Sequence, residues 1–165
     1  MNDDDGAKQE IMEAKQQLKN RIFKQEMVKA AEKFNLKPKN GIKYLTDKGY
    51  LKEEPRSEYL AGISKFLKET PALSPTAIGQ FLGEDKELSR DSFNQYIEEF
   101  DWKSPEVGYV DALKMMLSGF RIPGEGQIVD RIMQKFGEKL SKDRPVEFGN
   151  AEGVYFLAYA TMMLQ

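Results

Sequence analysis

No cysteine and no histidine occur in this chain of 165 residues. Their absence excludes disulfides, thiol nucleophiles, thiolate or imidazole zinc sites, histidine general bases and any Ser-His triad. Chemistry here rests on carboxylates, Lys, Arg, hydroxyls or backbone. Net charge is also missing: 25 Lys and Arg face 27 Asp and Glu, a formal charge of −2. No global field draws the chain to nucleic acid. Long apolar runs are absent too, the longest being the 11 residues from Val154 to Leu164, with Thr161 inside it. A bilayer-spanning helix needs roughly 20. The opening residues, Met1 to Gly6, are acidic and polar rather than basic then apolar, so no secretory leader is read there. The expectation is a soluble cytoplasmic protein with no metal and no cofactor.

What the chain does have is 40% apolar residues, about 66 side chains, enough for one compact core. They recur at three and four positions and strand-like alternation is nearly absent, which predicts an all-α domain. From Ala7 to Lys33, Ile11, Ala14, Leu18, Ile22, Met27 and Ala31 are spread among Lys, Glu and Gln. This reads as a long amphipathic helix, mostly solvated, and residues 1–33 are assigned to an N-terminal extension. Pro38 to Gly41 breaks it, and Ile42, Tyr44 and Leu45 start a short helix that Gly49 ends. Pro55 opens the next, with Tyr59, Leu60, Ile63, Phe66 and Leu67 on one face. Ser74 and Pro75 read as an N-cap followed by proline at the first helical position, ahead of Ile78, Phe81 and Leu82.

Leu88, Phe93, Tyr96, Ile97 and Phe100 mark a further helix, and Val110, Leu113, Leu117 and Phe120 another. After a loop from Arg121 to Gly126, Ile128, Ile132, Met133, Phe136 and Leu140 define the next. A polar link from Ser141 to Gly149 leads to a last helix N-capped by Asn150. That helix is apolar nearly all round, and coverage on several faces is expected of it. The chain stops at Gln165 without a Gly, Asn or Pro terminator, so a longer parent chain is expected. Charge is unevenly placed: residues 1–52 carry excess base, and in residues 53–106 acid outnumbers base two to one.

The least ordinary stretch is Phe120-Arg121-Ile122-Pro123-Gly124-Glu125-Gly126-Gln127. Gly119 and Gly124 have P-loop spacing, but Glu125 stands where the phosphate-binding Lys belongs. Gly124 and Gly126 begin a dinucleotide fingerprint, but Val129 occupies the third glycine position and no strand precedes. What remains is a single carboxylate: Pro123 fixes its own φ and disfavours helix at Ile122, while the two glycines strip side chains from either side of Glu125. From the residues alone two roles stay open. Glu125 either favours the positive N-terminus of the next helix, worth a few tenths to about 1 kcal/mol, or offers its charge to a partner. Arg121 and Asp130 likewise either pair with each other or meet that partner. Glycoside-type hydrolysis needs a second nearby acid, for which Asp130 is a poor candidate.

These eight residues, with Asp130 and Arg131, resemble the first signature of the Arf guanine-nucleotide exchange factors, whose catalytic module is the Sec-seven-type domain. Phe34, Asn35, Pro38, Gly41 and Leu45 resemble that domain's opening segment. Phe81, Leu82, Gly83, Phe100, Asp101 and Val110 to Leu113 resemble its middle. Tyr155, Leu157, Ala158, Tyr159, Met163 and Leu164 resemble the start of its second signature. Two positions depart from the family pattern: Ile128 stands where Lys is frequent, and Gln165 where Asn is usual. Tyr159 and Ala160 occupy positions that partly decide sensitivity to brefeldin, which stays open here.

The resemblance implies an all-α right-handed helical superhelix over residues 34–165, incomplete at its C-terminus with the last helices missing. It implies an Arf-family small GTPase, in its GDP- and Mg²⁺-bound form, as substrate, and no nucleic-acid partner. Glu125 is then the catalytic residue, in an exchange without covalent chemistry and so outside the usual meaning of enzyme. Arg121, Gly124, Gln127, Ile128, Asp130, Arg131, Ile132 and Met133 are GTPase-binding candidates, together with Tyr155, Tyr159, Met162 and Met163. Residue by residue, ordinary core is the competing role for the apolar members of that set. Vesicle-mediated transport at Golgi or endosomal membranes follows, with peripheral membrane attachment through other parts of the parent chain. The alternative is a GTPase-binding or scaffold module of the same fold without efficient exchange.

Overall fold

The computed structural model describes residues 2–164, with the side chain of Asn2 excepted; Gln165, read above as a departure from the family pattern, lies outside the described residues. The described residues form helices and connecting turns, with no strand among them. α1 (Asn2–Leu36) begins with Asp3, Asp4 and Asp5 and carries Lys33 in its last turn, charges that complement the helix dipole. It lacks the single apolar stripe expected of it. Ile11, Leu18 and Ile22 are about half exposed, whereas Ala30, Ala31 and Phe34 are fully buried. At 100° per residue the two sets fall on opposite sides of the helix, so only the last turns dock.

Lys37, extended at φ −154 and ψ 108, is the one-residue break before α2 (Pro38–Asp47). Pro38 therefore opens a helix rather than ending one, its missing N–H costing nothing at the first position. Gly41 lies inside α2, where an added Cβ would stand 2.5 Å from Phe34 Cβ and 2.8 Å from the Ala30 carbonyl oxygen. α3 (Arg56–Glu69) follows Pro55, and Tyr59, Ile63, Phe66 and Leu67 are buried as its periodicity requires. α4 (Pro75–Gly83) starts as its residues predict, with Ser74 Oγ accepting from the Ala77 amide at 3.3 Å.

α5 (Glu87–Glu98) and α6 (Tyr109–Leu117) end before Phe100 and Phe120, which pack from the turns instead. α7 (Gly126–Asp143) is the spine of the second half. The stretch read as a polar link contains α8 (Pro145–Phe148), opened by proline, and a buried cation, Arg144, while a second buried cation, Lys139, lies just before it in α7. Arg144 is satisfied by the carbonyls of Val107 and Pro105 and by Glu147, which is why it can be buried. α9 (Ala151–Met163) begins at Asn150, whose Oδ1 accepts from the Gly153 amide at 3.1 Å.

α1 to α5 form one packed group, α6 to α9 another, and α5 against α7 joins them. Trp102, fully buried, stacks on Phe100 at 5.3 Å and meets Phe136 edge-on at 5.3 Å, closing the seam between the groups. α9 does not receive the coverage expected of it. Val154 and Ala158 are buried, but Phe156 and Leu157 stay 60% and 49% exposed. It touches α6, α7 and α8 on one side, and the other side meets nothing among the described residues. No helix among them is long and apolar enough to cross a membrane.

Candidate functional site

The loop between α6 and α7 is held from both ends. Upstream, Phe120 is buried edge-on against Tyr96 at 5.7 Å and Phe93 at 6.4 Å, an anchor worth about 2–3 kcal/mol of apolar burial. The next amide, Arg121 N, donates to the Pro75 carbonyl at the start of α4 at 3.0 Å. Ile122 and Pro123 are half-buried. Downstream, Arg131 in α7 reaches back to α4: its guanidinium donates to the Gly83 carbonyl and stands 3.6 Å from Asp85. A cation on the last carbonyls of α4 also complements that helix dipole.

Between these clamps stands Glu125. It occupies the N-cap position of α7 at φ −76 and ψ 126, and its side chain makes no capping bond. Its carbonyl accepts from the Ile128 and Val129 amides at 3.0 and 3.1 Å, so the backbone alone starts the helix. The carboxylate is exposed and has no ion-pair partner among the described residues. The side chain thus makes no capping bond, although its charge stands at the positive N-terminus of α7. Gly124 and Gly126 are exposed, and a Cβ at either would meet nothing within 4 Å. The surface around the carboxylate is bare.

α7 and α9 cross closely beside this loop. A Cβ on Gly137 would lie 2.6 Å from the Ala151 carbonyl oxygen, so the crossing requires glycine there. Tyr155 on α9 donates its hydroxyl to Asp130 on the second turn of α7. That bond to a carboxylate, with some burial, pushes the Tyr155 phenol above its ordinary value. Asp130 is thus partnered across helices, and Arg121 contributes an exposed side chain without an ion pair among the described residues.

The remaining candidates separate by depth. Gln127 is exposed and Ile128 half-buried, while Ile132 and Met133 are fully buried beneath them. Tyr155, Tyr159 and Met162 are partly buried along α9, with the rings of Tyr155 and Tyr159 6.0 Å apart, and Met163 is 68% exposed. Between α6 and α9 opens a cavity of about 270 Å³ lined by Val110, Leu113, Leu117, Thr161 and Met162, with Lys114 and Ser118. The arrangement offers an isolated negative charge on the loop and, between α6 and α9, a largely apolar cleft. No group of acidic residues among those described is disposed to hold a metal.

Two residues that place the loop were not assigned this role from the sequence. Gly79 faces the Arg121 carbonyl and Gly83 faces Ile128 and Pro123. Their signal was available: two glycines four apart on one helix face mark a close backbone approach. Asp85, the ion-pair partner of Arg131, carried no such signal.

A Sec7 domain family model matches residues 23–165. Among similar proteins, "Brefeldin A-inhibited guanine nucleotide-exchange protein 2" of Arabidopsis thaliana is 40% identical over 144 residues, covering 87% of this chain and 8% of that protein. "ADP-ribosylation factor guanine nucleotide-exchange factor SEC7" of Saccharomyces cerevisiae is 39% identical over 131 residues, 79% of this chain and 6% of that one. The chain thus spans less than a tenth of the curated relatives it matches. Among solved structures, the Sec7p catalytic domain aligns with a TM-score of 0.74 at 38% identity, covering 82% of this chain and 72% of that one. The Sec7 domain bound to ARF1-GDP and brefeldin A aligns with a TM-score of 0.73 at 32% identity, covering 86% of this chain and 68% of that one.

Proposed function

The chain belongs to the Sec7 domain family, and from that membership we propose that it promotes GDP release from an Arf-family small GTPase, with Glu125 entering the nucleotide site. One observation carries the reading: an exposed carboxylate, unpaired among the described residues, is held between two clamps. A similar domain is described in complex with ARF1-GDP, which supports an Arf-type partner here. The apolar cleft between α6 and α9, with Tyr155, Tyr159, Met162 and Met163, receives the GTPase's mobile segments. Met suits surfaces that adapt to a partner. Arg121, Gly124, Gln127, Ile128, Asp130 and Arg131 frame the contact from the loop side, and Ile132 and Met133 support it from beneath.

The catalysis is electrostatic and involves no bond to the protein. A carboxylate about 4 Å from a phosphate's unit charge costs roughly 4 kcal/mol at an effective dielectric near 20, about a thousandfold in nucleotide affinity. Glu125 also competes for the GTPase's own phosphate-binding lysine and for the Mg²⁺ the GTPase brings with its GDP. The parent protein works from the cytoplasm at Golgi or endosomal membranes, attached through segments outside the 34–165 domain.

Glu125→Lys is the direct test. Replacing repulsion by attraction leaves the GTPase complex able to form while GDP stays bound, and acceleration of a fluorescent GDP analogue's release falls by about a thousandfold or to the spontaneous rate. Release as fast as with the parent chain would remove Glu125 from this role. The second reading is a module that grips the GTPase without efficient exchange. Capture of the GTPase without faster release would establish it.

A further inference from the structure

We propose that Gly79 and Gly83 of α4 are positioning residues for Glu125, forming a saddle that sets how far its carboxylate stands out of the protein. The inference deepens the exchange reading above and rests on it. A Cβ at Gly79 would lie 1.7 Å from the Arg121 carbonyl oxygen and 2.8 Å from its carbon, with Pro123 Cδ at 3.5 Å. At Gly83 a Cβ would lie 2.7 Å from Ile128 Cγ2 and 3.5 Å from Pro123 Cγ. One helix face thus receives both ends of the loop, Arg121 upstream of Glu125 and Ile128 downstream of it.

Neither position needs backbone freedom, since Gly49 is the glycine with positive φ among the described residues. What α4 supplies is the absence of a side chain. The loop's own glycines do not hold it, because a Cβ at Gly124 or Gly126 meets open space. The constraint on Glu125 therefore sits across the interface, where Arg121 N bonds to Pro75 O at 3.0 Å and Arg131 bonds to Gly83 O. An alanine at position 79 must push the Arg121 carbonyl away by more than about 1 Å to reach ordinary van der Waals separation. That breaks the bond to Pro75 and carries Pro123 and Glu125 with it. A reacting group misplaced by about 1 Å loses on the order of 100-fold in rate. The α6–α9 cleft is not touched by this change, so turnover suffers more than binding.

The test compares Gly79→Ala, Gly83→Ala and Gly41→Ala in the 165-residue chain. The readouts are kcat and KM for release of a fluorescent GDP analogue from an Arf-type GTPase, and hydrogen exchange at the Arg121 amide. Gly79→Ala is expected to lower kcat by about 10- to 100-fold with little change in KM, and to strip protection from the Arg121 amide while α7 keeps its own. Gly83→Ala, whose nearest neighbour is a movable side-chain end, gives a smaller fall of the same kind. Gly41→Ala crowds the α1–α2 crossing and lowers the thermal midpoint without changing either constant. Should Gly79→Ala fail to fold, Gly83→Ala and Arg131→Gln carry the comparison, each expected to lower kcat more than it raises KM. Unchanged kcat in the folded α4 variants, or a fall matched by Gly41→Ala, overturns the saddle. A parent chain that does not accelerate release overturns the reading of Glu125 itself, whatever the variants do.

Discussion

Asp143 holds three bonds at once. Its oxygens accept from Lys139 Nζ at 2.7 and 2.8 Å, and Oδ2 also accepts from the Trp102 amide at 3.1 Å. The two side chains are only 6% and 3% exposed, so this pair sits where losing one partner leaves a desolvated charge without compensation. Asp143→Asn is expected to cost about 3–5 kcal/mol, read from urea unfolding followed by the fluorescence of Trp102. The joint variant Lys139→Met with Asp143→Asn removes the orphaned cation and keeps an acceptor for the Trp102 amide. It should therefore be more stable than Asp143→Asn alone, and a joint variant equally or less stable would show that the penalty does not come from the stranded charge. Tyr155 and Asp130 form an exposed cross-helix hydrogen bond, a phenol on a carboxylate rather than a buried ion pair.

Helix α1 meets α2 through a bond from the Tyr44 hydroxyl to the Glu26 carboxylate. The bond pushes Tyr44 from its ordinary 10.0 up to about 12 and holds Glu26 below the usual carboxylate range. A raised tyrosine contributes stability that is complete below pH 10 and lost as pH rises through about 12. A lowered carboxylate contributes stability present above its ordinary value and lost as pH falls through the depressed one. Tyr44→Phe should therefore flatten both limbs of the urea midpoint against pH, in the window from pH 10 to about 12 and below the ordinary carboxylate range. Burial raises Tyr96 to about 12 as well, so only the difference between parent and variant reports on this clamp, and identical limbs in the two proteins would exclude it. At this scale the sequence was legible where local chemistry decides, as at Ser74-Pro75 and Asn150, whose caps form as read. It was less legible where a neighbour decides. Periodicity shows which residues share a face but not which face meets solvent, so the full burial of Ile132 and Met133 and the exposure of Phe156 could not be told apart beforehand. Arg144 read as part of a polar link because the Val107 and Pro105 carbonyls that make its burial tolerable come from elsewhere in the chain. Glu125 stood out because proline and glycine are local signals, whereas the saddle that sets its reach is distant in sequence.

Over the whole molecule, burial is distributed unevenly. Residues 3–25 are exposed along their entire length, and the core begins at Ala30 and Ala31 and extends to Ala158. A helix segment without such packing has little to hold it beyond its own hydrogen bonds, since most helical stability in proteins comes from tertiary packing of an apolar face. Its amides should exchange quickly while those of Ala30 to Leu36 share the protection of the core. The functional boundary then lies within α1, below the docked turns, since Phe23 still contacts Tyr50 at a ring separation of 5.7 Å. Removing residues 1–22 is expected to leave the thermal midpoint and the kinetics of GDP release unchanged. Removing residues 1–33 exposes what Ala30 and Ala31 cover, deletes the Glu26 bond to Tyr44, and should cost about 2 kcal/mol or more from the apolar burial alone. If the shorter deletion already lowered the midpoint by that amount, the exposed turns would have to be contributing to the fold through contacts that the burial of this chain does not include.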